Sequence, residues 1–314
     1  MNLARATRLE SVVDAVGRTP LVRLRKVTEK CPDVPVYAKL EFCNPGGSVK
    51  DRAALRMMQE ALRTGALTRD KILIDSTSGN TGVAYSIFGA ALGVKVRLVM
   101  PLNVSKPRKD IARAFGTEII FSDPMEGSDG AIRQVQQIVE KEPDLYYYPD
   151  QDSNPNNPLA HYHGTGAEIL EALGDTITHF VAGLGTTGTM MGTTRRLKEH
   201  ARKIRCLGVV PSEALHGLEG LKHLESSLVP AIYDPSVPDE LVRVTTEDGW
   251  TMADLLAQRE GLHVGHSSGA NVIAAVRVAE ELQRTGQGGA VVAIVADRGD
   301  RYFAPMKWEK RYVW

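Results

Sequence analysis

The chain has 314 residues, with 38 basic and 38 acidic side chains and a formal net charge of zero. This length is typical of two domains or of one large bilobal domain. With 43% hydrophobic and 24% charged residues, the composition excludes a disordered, collagen-like or coiled-coil protein. Since no block of basic residues stands out, we expect neither nucleic acid nor an anionic membrane as a main partner.

The apolar runs are short, with AVVAIVA near the carboxyl end among the longest, so no membrane span is expected. The first residues, MNLARATRLESVVDAVG, lack the uninterrupted apolar stretch of a signal peptide. Cys31, Cys43 and Cys206 are odd in number and have no CxxC spacing. We therefore expect reduced thiols and a cytoplasmic location.

Short β-branched runs alternate with longer helical stretches along the chain, which predicts an α/β protein with parallel sheets and crossover helices. The predicted strands cover residues 34–41, 71–76, 95–100, 118–121, 178–182, 204–210 and 290–296. The predicted helices cover residues 51–63, 83–92, 107–115, 130–141, 166–173, 190–199, 251–260 and 270–284.

Two segments break this alternation, and the end of the chain is unusual in its aromatic content. Residues 153–158 (SNPNNP) predict a turn-rich connector between lobes, and residues 212–240 predict a lid or a substrate-binding loop. The last residues of the chain are rich in aromatic side chains, which predicts either a tail packed on its own domain or a contact between subunits. These side chains are Tyr302, Phe303, Trp308, Tyr312 and Trp314.

A first glycine-rich turn, NPGGSVKDR at residues 44–52, follows a strand and begins a helix. Ser48 suits the N-cap position, which places Lys50 in the first helical turn. The positive end of the helix dipole disfavours an ammonium group there, so the Lys50 amine is a candidate nucleophile for Schiff-base chemistry. Lys39 is the rival lysine, but we expect it to extend from its strand into solvent.

Two further turns of this kind, TSGNTG at residues 77–82 and GLGTTGT at residues 183–189, also lie between a strand and a helix. The first offers neutral donors that suit a carboxylate, and the second offers hydroxyls and helix N–H groups that suit a phosphate monoester. The second also contains a G-x-G-x-x-G pattern, with Glu213 after the next strand, so a dinucleotide site remains an alternative.

A fourth short element, GHSSGA at residues 265–270, begins another helix and could by itself be only a cap. His161 and His163 are the closely spaced histidines of AHYHGTG, but no third ligand lies nearby in the sequence. We therefore expect no metal site.

Taken together and in this order, the four motifs resemble those of the pyridoxal-phosphate enzymes of the tryptophan-synthase-β fold type (fold type II). The chain is most similar to the cysteine synthase family (O-acetylserine or O-phosphoserine sulfhydrylases), and GRTPLVRL and VADRGDRY point to its B-type members. The resemblance extends from about residue 17 to residue 302. It implies a smaller lobe at residues 41–145, a larger lobe at residues 1–40 plus 146–314, and a homodimer.

The resemblance also assigns roles to residues. It implies that Lys50 bonds pyridoxal 5'-phosphate as an internal aldimine and that Ser267 contacts the pyridine nitrogen. The cofactor phosphate is expected to bind Gly185, Thr186, Thr187, Gly188 and Thr189. The substrate carboxylate is expected to bind Thr77, Ser78, Gly79, Asn80 and Thr81, with Asn80 also beside the cofactor. Gln151 and Lys222 are further candidates for substrate binding.

The activity implied is β-replacement on O-acetylserine or O-phosphoserine by sulfide or another sulfur donor, through an aminoacrylate, with Lys50 as general base. The alternatives are an enzyme like cystathionine β-synthase, a dehydratase-like β-eliminating enzyme, a catalytically silent relative and an NAD-dependent oxidoreductase. The sequence departs from the B-type pattern at residues 220–223 (GLKH), where relatives carry arginines, and at Asp152, where relatives have an aromatic residue. An Asp152 that faces the substrate is expected to repel anions.

Overall fold

The structure, a computed structural model, describes residues 8–77, 79–102, 104 and 106–302. The strands are β1 (Leu21–Leu24), β2 (Val36–Leu40), β3 (Ile72–Ser76), β4 (Lys95–Pro101), β5 (Glu118–Ser122), β6 (Tyr146–Tyr147), β7 (Ile177–Gly183), β8 (Arg205–Pro211), β9 (Glu240–Val244) and β10 (Ala290–Val295). The α-helices are α1 (Lys50–Thr64), α2 (Asn80–Leu92), α3 (Lys106–Ala114), α4 (Gly127–Lys141), α5 (Asn156–His161), α6 (Ala167–Leu173), α7 (Gly188–His200), α8 (Thr246–Leu255) and α9 (His266–Arg284).

The larger sheet has the strand order β1-β2-β10-β7-β8-β9. Its neighbouring strands are parallel except for the antiparallel pair β1 and β2. The central strand β10 is buried on both faces: Val291 and Val295 pack in one core with α8 and α9, and Val292 and Ile294 pack in another with α6 and α7. Burial on both faces explains why this strand is continuously apolar in the sequence.

The smaller sheet has the order β5-β4-β3-β6 and is parallel throughout. Leu73 of β3 packs toward α1 and α2, whereas Ile74 of the same strand packs toward α4. Each sheet therefore lies between helical layers, and the predicted α/β class with two αβα lobes is confirmed. We propose that the lobes divide at residues 41–145 and at 1–40 plus 146–314; β6, at Tyr146–Tyr147, lies just beyond that boundary and joins the smaller sheet.

Several helices begin earlier than predicted, and in α2, α7 and α9 the reason is that part of the glycine-rich turn already belongs to the helix. Helix α1 begins at Lys50 with Val49 as its N-cap, so the prediction of Ser48 as N-cap was wrong by one residue. Helix α9 begins at His266, four residues before the predicted start. Gly65 and Gly93 are left-handed C-caps of α1 and α2, a conformation that glycine adopts without steric cost.

Other differences arise from tertiary pairing. The predicted connector at residues 153–158 contains the start of α5, and the predicted loop at residues 212–240 ends in β9, which pairs with β8. Strands β1 and β6 were not predicted because each is short, and β6 also depends on pairing with β3, which lies far away in the sequence. Within the described ranges, no helix combines the length and apolar character that a membrane span requires. Of the predicted aromatic tail, only Tyr302 is described; Phe303, Trp308, Tyr312 and Trp314 lie outside the described residues.

Candidate active site

The site lies where strands of both sheets end at their carboxyl edges, as ligand sites of parallel sheets do. A cavity of about 950 Å³ lies between these ends, and a narrower one of about 50 Å³ shares several of its lining residues. The predicted site residues along the larger cavity are Lys50, Thr77, Gly79, Asn80, Thr81, Gln151, Gly185, Thr186 and Lys222. Those along the narrower cavity are Lys50, Asn80, Gly185, Thr186, Thr187, Thr189 and Ser267. The fold therefore joins four motifs that are far apart in the sequence.

Lys50 is the first residue of α1, and its backbone N–H donates to Ser48 Oγ at 3.3 Å. Burial among the cavity walls lowers the pKa of the Lys50 amine, and the positive charge of Lys222 adds to this effect. The acidic side chains of Asp297 and Asp152 act in the opposite direction on this pKa. The lowered pKa predicted from the sequence is thus present, with desolvation as its largest cause. A larger neutral fraction of this amine can act as nucleophile or base.

Asp297 follows β10 and is a buried carboxyl group beside Lys50. Asn80 Nδ2 donates to its Oδ2 at 2.6 Å, and the Tyr302 hydroxyl donates to the same oxygen. Burial raises the pKa of Asp297, although these two hydrogen bonds lower it. Its other oxygen, Oδ1, is buried and has no hydrogen-bond partner among the described residues. The cavity therefore contains an acidic group that can interact with a bound ligand.

The turn before α7 holds three threonines close together at the start of a 13-residue helix. Thr187 is its N-cap and has φ of 69°, a left-handed conformation that is rare for a β-branched residue. Its hydroxyl oxygen is buried and has no hydrogen-bond partner among the described residues. Such strain and an unsatisfied buried hydroxyl are typical of a ligand-binding turn.

Two glycines of this turn are required by close neighbours. A Cβ on Gly185 would lie 2.2 Å from the Gly220 carbonyl oxygen, and one on Gly188 would lie 2.0 Å from Asn157 Oδ1. Gly188 lines neither cavity. Its lack of a side chain instead allows the start of α7 to pack closely against Asn157. Asn157 Nδ2 also donates to Thr186 Oγ1 at 3.1 Å, which fixes that hydroxyl.

The predicted carboxylate loop begins α2. Thr81 Oγ1 donates to Gln151 Oε1 at 2.8 Å, so the structure brings the predicted residue Gln151 to this loop. Thr77 Oγ1 accepts a hydrogen bond from Gly79 N at 3.3 Å. Ser78, the remaining predicted residue of this loop, lies outside the described residues. Ser267 is buried in the first turn of α9 and lines the narrow cavity with Lys50.

Lys222 and Asp152 form an ion pair in the wall of the larger cavity. Lys222 Nζ lies 3.5 Å from Asp152 Oδ1 and donates to the Leu228 carbonyl oxygen at 3.2 Å. The two charges offset each other, so Asp152 presents less negative charge to an anion than the sequence alone suggests. This pair also ties residue 152 to the segment that includes Lys222 and Leu228.

The prediction that Lys39 extends into solvent was wrong. Lys39 is 2% exposed, and its Nζ donates to the Thr19 carbonyl oxygen and to Glu168 Oε2, each at 2.6 Å. Glu168 and the buried Glu41 also bind Arg52 at 2.7 and 2.6 Å. Because this amine is held in a buried ionic network, it is not available to a cofactor.

His161, one of the two histidines considered for a metal, has its ring nitrogens beside Thr165 Oγ1 at 2.9 Å and Thr189 Oγ1 at 3.3 Å. Burial, together with the positive charge of Arg52, lowers the pKa of His161 to about 3, so its ring is neutral. No cluster of three or more potential metal ligands occurs in the part of the chain that the structure describes.

Sequence reasoning missed several residues of the site, namely Asp297, Arg301, Asn157 and Gly220. Arg301 donates to Asn80 Oδ1 and to the Gly46 carbonyl oxygen, and it lines the larger cavity. The charged run DRGDRY directly after the last apolar strand was the available signal for Asp297 and Arg301, since the carboxyl end of a central parallel strand faces the site.

Comparisons with known proteins agree with this geometry. The family model for pyridoxal-phosphate dependent enzymes matches residues 12–297. The chain is 49% identical to the cysteine synthase of Aquifex aeolicus over 295 residues, 93% of this chain and 90% of that protein. It is 38% identical to cysteine synthase B of Escherichia coli, over 94% of this chain and 95% of that protein. The crystal structure of a cysteine synthase from Entamoeba histolytica superposes with a TM-score of 0.92 at 33% identity, covering 97% of this chain and 92% of that one.

The chain therefore belongs to the pyridoxal-phosphate dependent enzymes. Within them it is a member of the cysteine synthase family, as its motifs predicted. A dinucleotide at the GLGTTG turn, the alternative left open by the sequence, is not favoured by these comparisons.

The residues present fit pyridoxal phosphate. The buried, unpartnered hydroxyl of Thr187 at the start of α7 suits a phosphate oxygen, because N–H groups at a helix start also favour an anion. The desolvated Lys50 amine shares the narrow cavity with Thr187 and Ser267. Such a set of side chains can hold a molecule that carries a phosphate at one end, an amine-reactive aldehyde and a ring nitrogen, as pyridoxal phosphate does.

Proposed function

We propose that this protein synthesises L-cysteine by β-replacement, with O-acetyl-L-serine as amino-acid donor and sulfide as the sulfur source. In the overall reaction the Cβ–O bond of the donor breaks, acetate leaves with the electron pair, and a C–S bond forms at the same carbon. The observation that carries this proposal is the position of Lys50, whose low-pKa amine lies in cavities shared by the TSGNTG and GLGTTG turns.

We propose that Lys50 both removes a proton from the substrate Cα and later returns it. Pyridoxal phosphate bound here supplies an aldehyde that bonds the substrate amine and a conjugated ring that withdraws electrons from the substrate Cα. The Lys50 amine removes the Cα proton and returns it after the sulfur has added. Its lowered pKa supports this role, because a larger fraction of the amine is neutral and able to accept that proton.

Ser267 supports replacement over transamination. Its hydroxyl lines the narrow cavity at the start of α9 and can donate one hydrogen bond to a ring nitrogen, but it carries no charge. A neutral partner does not hold a proton on that nitrogen, so a long-lived negative charge at Cα is less favoured than rapid loss of the β-substituent.

The choice of O-acetylserine over O-phosphoserine rests on the charges around the larger cavity. Lys222 is paired with Asp152, and Arg298 with Asp300 at 3.1 Å. Two of the cations that could bind a phosphate dianion are thus already compensated. A neutral acetyl group requires no such partner.

The test is product analysis with the purified holoenzyme. O-Acetylserine with sulfide is expected to give cysteine and acetate, whereas omission of sulfide is expected to leave no sustained release of pyruvate. Replacing sulfide by homocysteine tests the cystathionine alternative, and the Lys50→Ala variant, as the control, is expected to give no product. Faster pyruvate release than cysteine formation in the presence of sulfide would instead establish a β-eliminating enzyme.

We also propose that the protein is a cytoplasmic homodimer. The aromatic end of the sequence supports a subunit contact, and the three unpaired cysteines support a reducing compartment. One chain has a mass of 34.2 kDa, and light scattering of the purified protein is expected to give twice this mass.

A further inference from the structure

Asp297 lies just after β10, where the chain contacts the turn that carries Lys50. Its backbone forms an antiparallel bridge with Ser48, and the Val49 N–H donates to the carbonyl oxygen of Ala296 at 2.8 Å. Lys50 follows directly as the first residue of α1. Backbone pairing therefore fixes Asp297 beside this turn, although the two positions lie far apart in the sequence.

Asp297 also contacts two further segments of the site. The Gly265 N–H, just before α9, donates to the backbone carbonyl oxygen of Asp297 at 3.2 Å. Asn80 Nδ2, at the start of α2, donates to the side-chain oxygen Oδ2 at 2.6 Å, and the Tyr302 hydroxyl donates to the same oxygen. The carboxyl group is thus held in one position by contacts from several sides.

The second oxygen of this carboxyl group, Oδ1, is not used by these contacts. It is buried, it has no hydrogen-bond partner among the described residues, and it lies so close to Gly265 that a Cβ there would collide with it. Asp297 and Lys50 both line the narrow cavity, and Lys50 is the only cationic residue among the described ones that do so. Because a buried carboxylate oxygen without a partner is costly, we expect the Lys50 amine to serve as its donor.

The charges of the two groups support each other. The carboxylate of Asp297 favours the ammonium form of Lys50, and that ammonium group in turn favours the ionised form of Asp297. Burial disfavours both charges, so it lowers the pKa of Lys50 and raises that of Asp297. Each charge is therefore more stable when the other is present.

Other charged groups face this pair. Asp152 raises and Lys222 lowers the pKa of Lys50, and these two residues pair with each other at 3.5 Å. The positive charge of Arg301 lowers the pKa of Asp297, as do its two side-chain hydrogen bonds. Of the charged side chains, Asp297 has the largest effect on the pKa of Lys50.

We propose that Asp297 is a positioning residue for Lys50: its free oxygen Oδ1 binds the ammonium group that Lys50 forms when it accepts the Cα proton, and holds it until the proton is returned. This assignment rests on the proposed function in that Lys50 is the base. The proton moves from Cα to the Lys50 amine and back, and none is transferred to Asp297. By stabilising the ammonium group, Asp297 makes Lys50 a stronger base in a cavity where burial weakens it.

The first experiment measures how fast pyridoxal phosphate attaches to Lys50 of the apoenzyme at different pH values, followed by cofactor absorbance. Only the neutral amine attacks the aldehyde, so the rate rises with pH through the pKa of Lys50. Asp297→Asn removes the charge but keeps one oxygen that can accept from Asn80 and Tyr302. We expect the pH of half-maximal rate to fall by about one unit in this variant.

Asp297→Ser removes the same charge with a different side chain, and we expect the same shift. Asp300→Asn is the matched control, because Asp300 lies three residues further along, has the same charge and pairs with Arg298. Its pH dependence is expected to match that of the wild type. An unchanged half-maximal pH in both Asp297 variants would overturn the proposal. An equal shift in Asp300→Asn would also overturn it, since any nearby acid would then have the same effect.

The second experiment separates proton transfer from substrate binding in the holoenzyme. With O-acetylserine and sulfide, Asp297→Asn is expected to lower kcat by about threefold or more and to change the KM for O-acetylserine by less than about twofold. The primary isotope effect with O-acetylserine deuterated at Cα is expected to rise, because proton removal becomes slower relative to the other steps. A change in KM alone, with kcat and the isotope effect as in the wild type, would overturn the proposal. A wild type that forms no cysteine, together with the pH shift in the apoenzyme, would refute the proposed function but support the pairing of Lys50 with Asp297.

Discussion

The close approach of Gly220 to the turn at residues 183–189 allows a sharp test of our proposal that this turn binds the cofactor phosphate. In Gly185→Ala the new Cβ would lie 2.2 Å from the Gly220 carbonyl oxygen, whereas such contacts are at least 3.0 Å, so one segment must move by about 0.8 Å. Overpacking of this kind costs about 1–3 kcal/mol. If this cost applies to the cofactor-bound geometry, affinity for pyridoxal phosphate falls by about 5- to 150-fold.

The assay is titration of the apoenzyme with pyridoxal phosphate, followed by cofactor absorbance and by recovery of cysteine formation. Gly288→Ala is the matched control, because no heavy atom lies within 4 Å of a Cβ at that position and its φ is not left-handed. We expect the control to match the wild type. A Gly185→Ala enzyme with wild-type cofactor affinity would refute the assignment of residues 183–189 to the cofactor phosphate.

Two further predictions concern acidic residues that line the larger cavity. Burial raises the pKa of Asp75 from 3.8 to about 8, so the folded state keeps a proton that the unfolded state loses, and stability falls between about pH 4 and pH 8. The free energy of unfolding then changes by up to about 1.4 kcal/mol per pH unit, and Asp75→Asn is expected to remove this pH dependence. Thermal unfolding at several pH values measures the dependence, and an unchanged dependence in Asp75→Asn contradicts the prediction. Asp152→Asn leaves Lys222 uncompensated, so the kcat/KM ratio of O-phosphoserine to O-acetylserine should rise about fivefold, as for loss of a partly exposed ion pair. Asp150→Asn, in the same cavity, is the control, and an equal change in both variants contradicts the role of the pair.

Local signals in the sequence were enough to propose the central part of the site. Lys50 and the threonines at residues 186, 187 and 189 all line the narrow cavity, and they could be proposed because a glycine-rich turn between strand and helix has a short-range signature. The alternation of strands and helices likewise predicted both parallel sheets, since burial on two faces leaves continuous apolar runs such as that of β10.

What the sequence did not predict depends on contacts between distant residues. Lys39 was expected to be exposed because lysines in strands usually extend into solvent, and its hydrogen-bond partner Glu168 lies 129 positions away in the sequence. Arg301 donates a hydrogen bond to Gly46 across 255 positions, and β9 pairs with β8 across the long segment at residues 212–239. Such pairings arise from tertiary packing and have no local signature.

The covalent attachment of the cofactor to Lys50 is the most direct test. The holoenzyme is reduced with borohydride, which fixes the cofactor on the lysine that holds it, and the modified peptide is identified by mass spectrometry. We predict that the label is found on Lys50 and is absent from Lys39 and Lys222, and that Lys50→Ala is not labelled. Label on another lysine, or equal labelling of Lys50→Ala, would contradict the assignment of this residue as the centre of the site.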